Sequence, residues 1–287
     1  MNTGTVHVPA ITYHQILCAG TPLTKRNPDE PILSGQMYLE EFVWQMDYLA
    51  EQGFTTITHD QLYRWLHNGV ELAGKPILID FDDHSMVSYI NALPVMRERG
   101  QVATMFVISG LADGDQALGG HIWSQQPARM RWRELEKLLE AGWEMGAHTH
   151  SHFFLTEAPS GPAGDARIMD ELVRGKVDIE ENLGLVPRHF AYPNGLWNEH
   201  IEGMVKQVFD SARLFMGVGR AQYITTRTDP YRLPTMNINY LLPHVDFQRL
   251  VDRSDPNYEY YPESREIEHA GLAATWKALQ DRRSTPE

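Results

Sequence analysis

The chain has 287 residues, enough for one large domain or two small ones and for a sizeable buried core. It is 42% hydrophobic and 22% charged, and its net charge of −13 argues against nucleic acid or an anionic membrane as the main partner. The single cysteine, Cys18, excludes an intrachain disulfide, and no apolar run approaches the roughly 18 residues of a transmembrane helix. The N-terminus lacks the basic and apolar regions of a signal peptide, so the expectation is a cytoplasmic protein.

Residues 8–13, Val-Pro-Ala-Ile-Thr-Tyr, form a first predicted strand, and the proline-containing stretch 22–31 a loop. Leu39, Phe42, Val43, Met46 and Leu49 recur at helical spacing and predict a helix over 38–52, ended by Gly53. A short strand at 55–57, a short helix at 60–67 and a continuous apolar strand at 76–81 follow. Next come a helix over 86–99, a strand over 103–108, a helix over 131–141, a strand over 143–147 and a long helix over 165–183. A strand at 187–192, a helix at 197–208 and strands at 212–216 and 231–236 complete the main body. Residues 255–264 are a polar, aromatic linker and 265–280 a last helix. This divides the chain into a domain over 1–254 and a C-terminal linker and helix over 255–287 that packs on it. Strand, helix, glycine, strand is the rhythm of βα units around a parallel sheet. About seven such units fit an α/β barrel, with an open doubly wound sheet as the alternative.

Two runs carry the chemistry, and both fall just after predicted strands, at the edge where α/β folds build their sites. Ile-Leu-Ile-Asp-Phe-Asp82-Asp83 ends in adjacent carboxylates, and Gly146-Ala-His148-Thr-His150-Ser-His152 packs three imidazoles into five residues. One carboxylate with two imidazoles is a common way to hold a divalent metal with an open position. The other carboxylate is then available as a base toward water. On an extended strand His148 and His152 would lie about 13 Å apart, whereas on a helical turn they are about 5–6 Å apart. A shared ion therefore predicts a helical turn at His148, with His148 and His152 as ligands and His150 as a bystander. Asp83 or Ser85 could instead serve as N-cap of the following helix.

These runs resemble the motifs of the polysaccharide deacetylase or NodB-homology group, carbohydrate esterase family 4, over most of residues 8–240. Asp82-Asp83 resembles the family's Thr-Phe-Asp-Asp-Gly, and His148-Thr149-x-x-His152 its His-Thr/Ser-x-x-His. Phe190-Ala-Tyr192-Pro193-Asn194-Gly195, Thr12-Tyr13-His14 and Asp229-Pro-Tyr-Arg232-Leu resemble the branch that reads Phe-Ala-Tyr-Pro-Tyr-Gly. The resemblance implies a distorted (β/α) barrel of about seven parallel strands. It implies Asp82 as general base, Asp83, His148 and His152 as metal ligands, and the Asn194 backbone N–H as an oxyanion donor. The reaction implied is attack of metal-activated water on an acetamide, with zinc the expected ion and cobalt, nickel or manganese compatible with the same donors.

Departures from the pattern bear on the substrate. His84 stands where the family has glycine, and Ala191 stands where many members carry arginine, leaving the base without its usual partner. Asn194 replaces a frequent tyrosine. The family's late Leu-x-His acid has only a loose counterpart in Leu242-Pro-His244, so His244, His14 and His84 compete as general acid. His84, Tyr192, Pro193, Trp123, Trp197 and Arg232 are the expected substrate contacts, and the stretch 109–130 is a candidate lid. The expected substrate is an N-acetylated sugar or saccharide. A non-sugar amide or cyclic imide is the alternative, and a non-catalytic carbohydrate-binding relative a second one. A homo-oligomer is compatible with the sequence.

Overall fold

In the computed structural model, which describes residues 6–23, 35–112, 128–214, 223–240 and 242–252, a curled and mostly parallel sheet alternates with helices. The first half holds β1 (Val8–Tyr13), β2 (Gln15–Leu17), β3 (Gln36–Tyr38), α1 (Leu39–Glu51), β4 (Phe54–Ile57), α2 (His59–Asn68), β5 (Lys75–Asp82), α3 (Met86–Glu98) and β6 (Thr104–Val107). The second half holds α4 (Trp132–Glu140), β7 (Glu144–Ala147), α5 (Pro162–Leu183), β8 (His189–Ala191), α6 (Glu199–Val205), β9 (Ser211–Arg213), β10 (Tyr223–Ile224), β11 (Met236–Asn237) and α7 (His244–Asp252). The sheet order is β10, β1, β5, β6, β7, β8, β9, with β4 also paired to β5 and β11 to β1. Within this sheet only the β1–β10 pairing is antiparallel.

The expected strand over 231–236 is broken into two contacts. Leu233 bridges to Arg213 of β9, and β11 pairs with β1. Pro234, between them, has no N–H to give a ladder, so continuous pairing is impossible there. The segment 233–238 is a sparse seam: Leu214 N–H donates to Leu233 O and Ile238 N–H to Thr12 O, each at 2.9 Å. It stitches the curled sheet into a distorted barrel.

Side-chain alternation sorts each strand onto two faces. Ile11, Tyr13, Ile77, Ile79, Phe81, Met105, Val107, Met145 and Phe190 belong to the main core, with α1, α3, α4 and α5 packed outside the sheet. The run 76–81 is buried on both faces, as expected of a continuous apolar strand, with Asp80 its one charged member. The opposite residues face the lumen. Val8, Ala10, Leu78 and Leu233 pack there with Leu62 and Trp65 of α2, which plugs one end. α2 starts on a capping box between Thr58 and Gln61 and stops at left-handed Gly69. The other end of the lumen is polar and buried, with Asp80, Asp82, Thr104 and Arg213. Among the described residues, no helix is long and apolar enough to cross a membrane. The linker 255–264 and helix 265–280 lie outside the described residues.

Candidate metal centre and active site

Strict alternation would send Asp82 into the lumen and Asp83 outward into the helices. The backbone prevents this: Asp83 takes φ 67° and His84 φ 40°, so the chain turns back at the end of β5. The non-glycine residues with positive φ are Asp83, His84, Thr149, His152 and Asn194, among the described residues, and all belong to the motifs singled out in the sequence. Left-handed backbone costs about 1–3 kcal/mol at such a residue and is concentrated where a site needs an unusual side-chain direction.

His148 and His152 are brought together, but not by the expected helical turn. They lie on an irregular bend after β7, with left-handed backbone at Thr149 (φ 62°) and His152 (φ 61°), and their ring centroids are 4.9 Å apart. His148 Nδ1–H donates to Ala191 O at 2.7 Å, which leaves Nε2 as a lone-pair atom. Asp83 Oδ1 lies 3.7 Å from His148 Nε2 and 3.4 Å from His152 Nε2, and it is buried with no hydrogen-bond partner. The three donor atoms lie within 4.8 Å of one another. Burial pushes both imidazoles below their ordinary value, His152 to about 3, against the pull of the neighbouring aspartates. Burial would raise the Asp83 carboxyl, but the charges of His152 and Arg129 hold it well below the usual carboxylate range. An orphaned buried carboxylate oxygen facing two imidazole nitrogens fits a divalent cation with positions left open.

The bend is braced from outside. Glu171 of α5 accepts from Ser151 N–H at 2.8 Å and from the Ser151 hydroxyl at 2.7 Å, and Gly110 N–H donates to His150 O at 2.9 Å. His150 points away from the ion position, its Nδ1 at 2.8 Å from Asp178 Oδ2. It acts as a strut between the bend and α5, which agrees with its reading as a bystander.

Asp82 is not left without a cationic partner. Arg213 of β9 donates from Nη2 to Asp82 Oδ1, and its Nε makes a 3.1 Å ion pair with Asp80 Oδ2. Its guanidinium lies 4.6 Å from the Phe106 ring centroid and is buried. Ala191 pairs with Arg213 across β8 and β9, so both face the lumen and the small alanine leaves room for the arginine. The expectation of a missing partner is therefore corrected: the cation comes from the next strand. Burial would raise Asp82, but the charges of Arg213, His148 and His14 and the Arg213 hydrogen bond hold it below its usual value. His14 Nε2 lies 3.7 Å from Asp82 Oδ2. Sequence reading missed Arg213, and its signal was a lone arginine at the end of an apolar strand, in the row of Ala191.

The remaining expected site residues disperse. His244 opens α7, stacks on Trp44 at 3.5 Å between ring centroids, and pairs with Glu41 at 2.6 Å. His84 is fully buried, its Nδ1 accepting from Ile108 N–H at 3.3 Å. Tyr192 is fully buried in the main core against Phe190, and Pro193 is buried beside it. Strand alternation turns Tyr192 outward from the lumen into the core, away from the place expected of a substrate contact. Trp197 is half-buried with the Arg232 guanidinium 4.3 Å from its ring, and Arg232 in turn pairs with Glu202 at 2.6 Å. Asn194, at φ 55°, sits in the turn Pro193–Gly195 after β8. Trp123 and most of the candidate lid lie outside the described residues.

A second grouping, Asp60, Glu144 and His189, has donor atoms equally close together. Here the carboxylates are already satisfied. Glu144 accepts from the first amides of α2, His59 N–H at 2.6 Å and Asp60 N–H at 3.1 Å, and from the Thr104 hydroxyl at 3.1 Å. Asp60 is held by Arg188 at 2.8 Å and His189 at 3.2 Å. This group braces the start of α2.

Residues 69–208 match the polysaccharide deacetylase family. The chain is 25% identical over 224 residues to the poly-β-1,6-N-acetyl-D-glucosamine N-deacetylase of Staphylococcus aureus (strain MRSA252), covering 76% of this chain and 72% of that protein. It is 21% identical to the enzyme of the same name from Staphylococcus epidermidis, over 75% of this chain and 71% of that one. The fold is shared with the Streptococcus pyogenes deacetylase PplD (TM-score 0.70, 19% identity, 88% of this chain and 100% of that one). It is also shared with IcaB from Ammonifex degensii (TM-score 0.66, 22% identity, 87% and 97%). The matched stretch runs from the end of α2 past α6 and holds Asp82, Asp83, His148, His152 and Asn194, so the similarity to the polysaccharide deacetylase family covers the whole candidate centre.

Proposed function

We propose that this chain is a divalent-metal-dependent N-deacetylase of a saccharide containing N-acetylglucosamine. The β-1,6-linked polymer named for its staphylococcal relatives is the first substrate to test. The observation that carries this reading is the orphaned Asp83 oxygen facing the Nε2 atoms of His148 and His152, one residue from a carboxylate held below its usual value. Asp83, His148 and His152 would hold the ion, with zinc the first choice on an oxygen–nitrogen donor set. A cation bound there supplies Lewis acidity, polarising an amide carbonyl and making a water more acidic.

The chain's own groups do the rest. Asp82 Oδ1 is fixed by Arg213, which leaves Oδ2 to take the proton as water adds to the carbonyl carbon. The Asn194 N–H serves as a backbone donor to the developing oxyanion. Collapse breaks the C–N bond, releasing acetate, and the leaving nitrogen takes a proton. His14, beside Asp82, is better placed to give that proton than His244, which is engaged on α1.

Acetate release from N-acetylglucosamine polymers and oligomers, run against a panel of small amides and cyclic imides, tests the substrate class. Hydrolysis of the amides alone would overturn the saccharide reading. Asp82→Asn is expected to lower kcat by about 10²–10⁴-fold with zinc still bound. Asp83→Asn is expected to lose zinc. Full activity in the first variant sinks the assigned base, and unchanged zinc binding in the second sinks the assigned ligand.

A further inference from the structure

His84 stands where the family pattern has glycine, yet its backbone keeps a glycine-like conformation at φ 40°, directly after Asp83 at φ 67°. Two consecutive left-handed residues with side chains persist only where the surroundings over-determine them. The surroundings are visible. The segment 128–130 runs against the turn as a strap: Met86 N–H donates to Ala128 O at 2.7 Å, Met130 N–H to His84 O at 2.9 Å, and Ser85 bridges Arg129 in antiparallel fashion. The Arg129 guanidinium donates to the backbone carbonyl of Asp83. The His84 ring is wedged, fully buried, under the end of β6, taking the Ile108 N–H.

We propose that Arg129 and His84 form a latch that holds the Asp83 peptide in its strained turn, so that the Asp83 carboxylate already faces His148 and His152 before an ion arrives. Arg129 is the positioning residue and Asp83 the group it positions, so the proposal rests on the reading of Asp83 as a ligand. The guanidinium grips the peptide oxygen of the ligand residue, not its carboxylate, which stays available. His84 takes up the space below the turn and gives the left-handed peptide a second anchor on β6. In this chain, a side-chain anchor does what glycine's conformational freedom does in the family pattern.

A sign distinguishes the latch from a nearby charge. A guanidinium close to a dication repels it, so if Arg129 acted only through its charge, Arg129→Met would tighten metal binding. The latch requires the opposite. Zinc affinity of the full chain, measured by competition with a chromophoric chelator, is expected to fall by about tenfold or more in Arg129→Met. Arg129→Lys, which keeps the charge and a donor for the Asp83 carbonyl, is expected to recover most of that loss. Melting of the zinc-free proteins accompanies each measurement. Unchanged or tighter zinc binding in Arg129→Met overturns the latch, as does failure of the lysine to recover affinity when it restores the melting temperature. Asp83→Asn separates the two levels. If it leaves zinc binding intact, the ligand assignment itself fails. If it abolishes binding while Arg129→Met does not weaken it, only the latch fails.

Discussion

Arg213 is the residue on which the electrostatics of Asp82 turns. It is buried between Asp80 and Asp82, so removing it strands two carboxylates in a low-dielectric interior. Arg213→Met is expected to cost about 3–5 kcal/mol of stability, read from denaturant unfolding. It should also raise the proton affinity of Asp82. Asp82 sits below its usual value partly because of Arg213, so loss of the arginine removes a cause that holds it down. A base works only when ionised, so if Asp82 is the base the acid limb of the kcat/KM profile is expected to move to higher pH. An unmoved limb would mean that Asp82 does not set it.

At the scale of elements, the turns after β1 and β7 show how backbone freedom places side chains. Gly35 has φ 81°, and a Cβ built on it would sit 2.3 Å from His14 Nδ1. Its carbonyl accepts from His14 N–H and Gln15 N–H, both at 3.1 Å, so the glycine cannot simply retreat. Gly35→Ala is expected to displace the imidazole and lower kcat, with zinc affinity unchanged. An unimpaired kcat would remove His14 from the chemistry. The bend after β7 predicts a pH response. His152, at about 3 when folded against an ordinary 6.5, binds fewer protons in the native state than in the unfolded chain between those two values. Stability of the zinc-free protein is therefore expected to fall as pH is lowered through that window. Melting in a chelator from pH 7 to about 4 checks this, and His152→Gln should flatten the slope.

Across the whole molecule, the α/β class and most helices were legible because each βα unit repeats a strong local period. The candidate ligands Asp83, His148 and His152 stood out for a similar reason: they cluster in short runs. What stayed hidden was set by distance and by face. Arg213 and Asp82 are 131 residues apart, and nothing local marks them as partners. The bend at His148 depends on left-handed residues that helical spacing does not anticipate. The run 76–81 is buried on both faces, and nothing local marks Asp80 within it as a partner of Arg213. Strands of two or three residues, such as β2, β3 and β10, are too short to show any period. α7, with His244 at its start, fell in a stretch read only as a loose motif.

The sparse seam at 233–238 bears on the order in which the molecule comes apart. Asp83, His148 and His152 extend from β5 and β7, which are flanked by neighbours inside the sheet, whereas Arg213 lies on β9, joined to β8 over three residue pairs and to the seam by one bridge. Weakly bonded margins open before interiors. Amide hydrogen exchange at Leu214 and Leu233 is therefore expected to outpace exchange in β5 and β6. In mild denaturant the zinc-loaded protein is expected to lose deacetylase activity while still holding the added zinc, and to recover on dilution. Simultaneous loss of zinc and activity would show instead that the sheet opens as one unit.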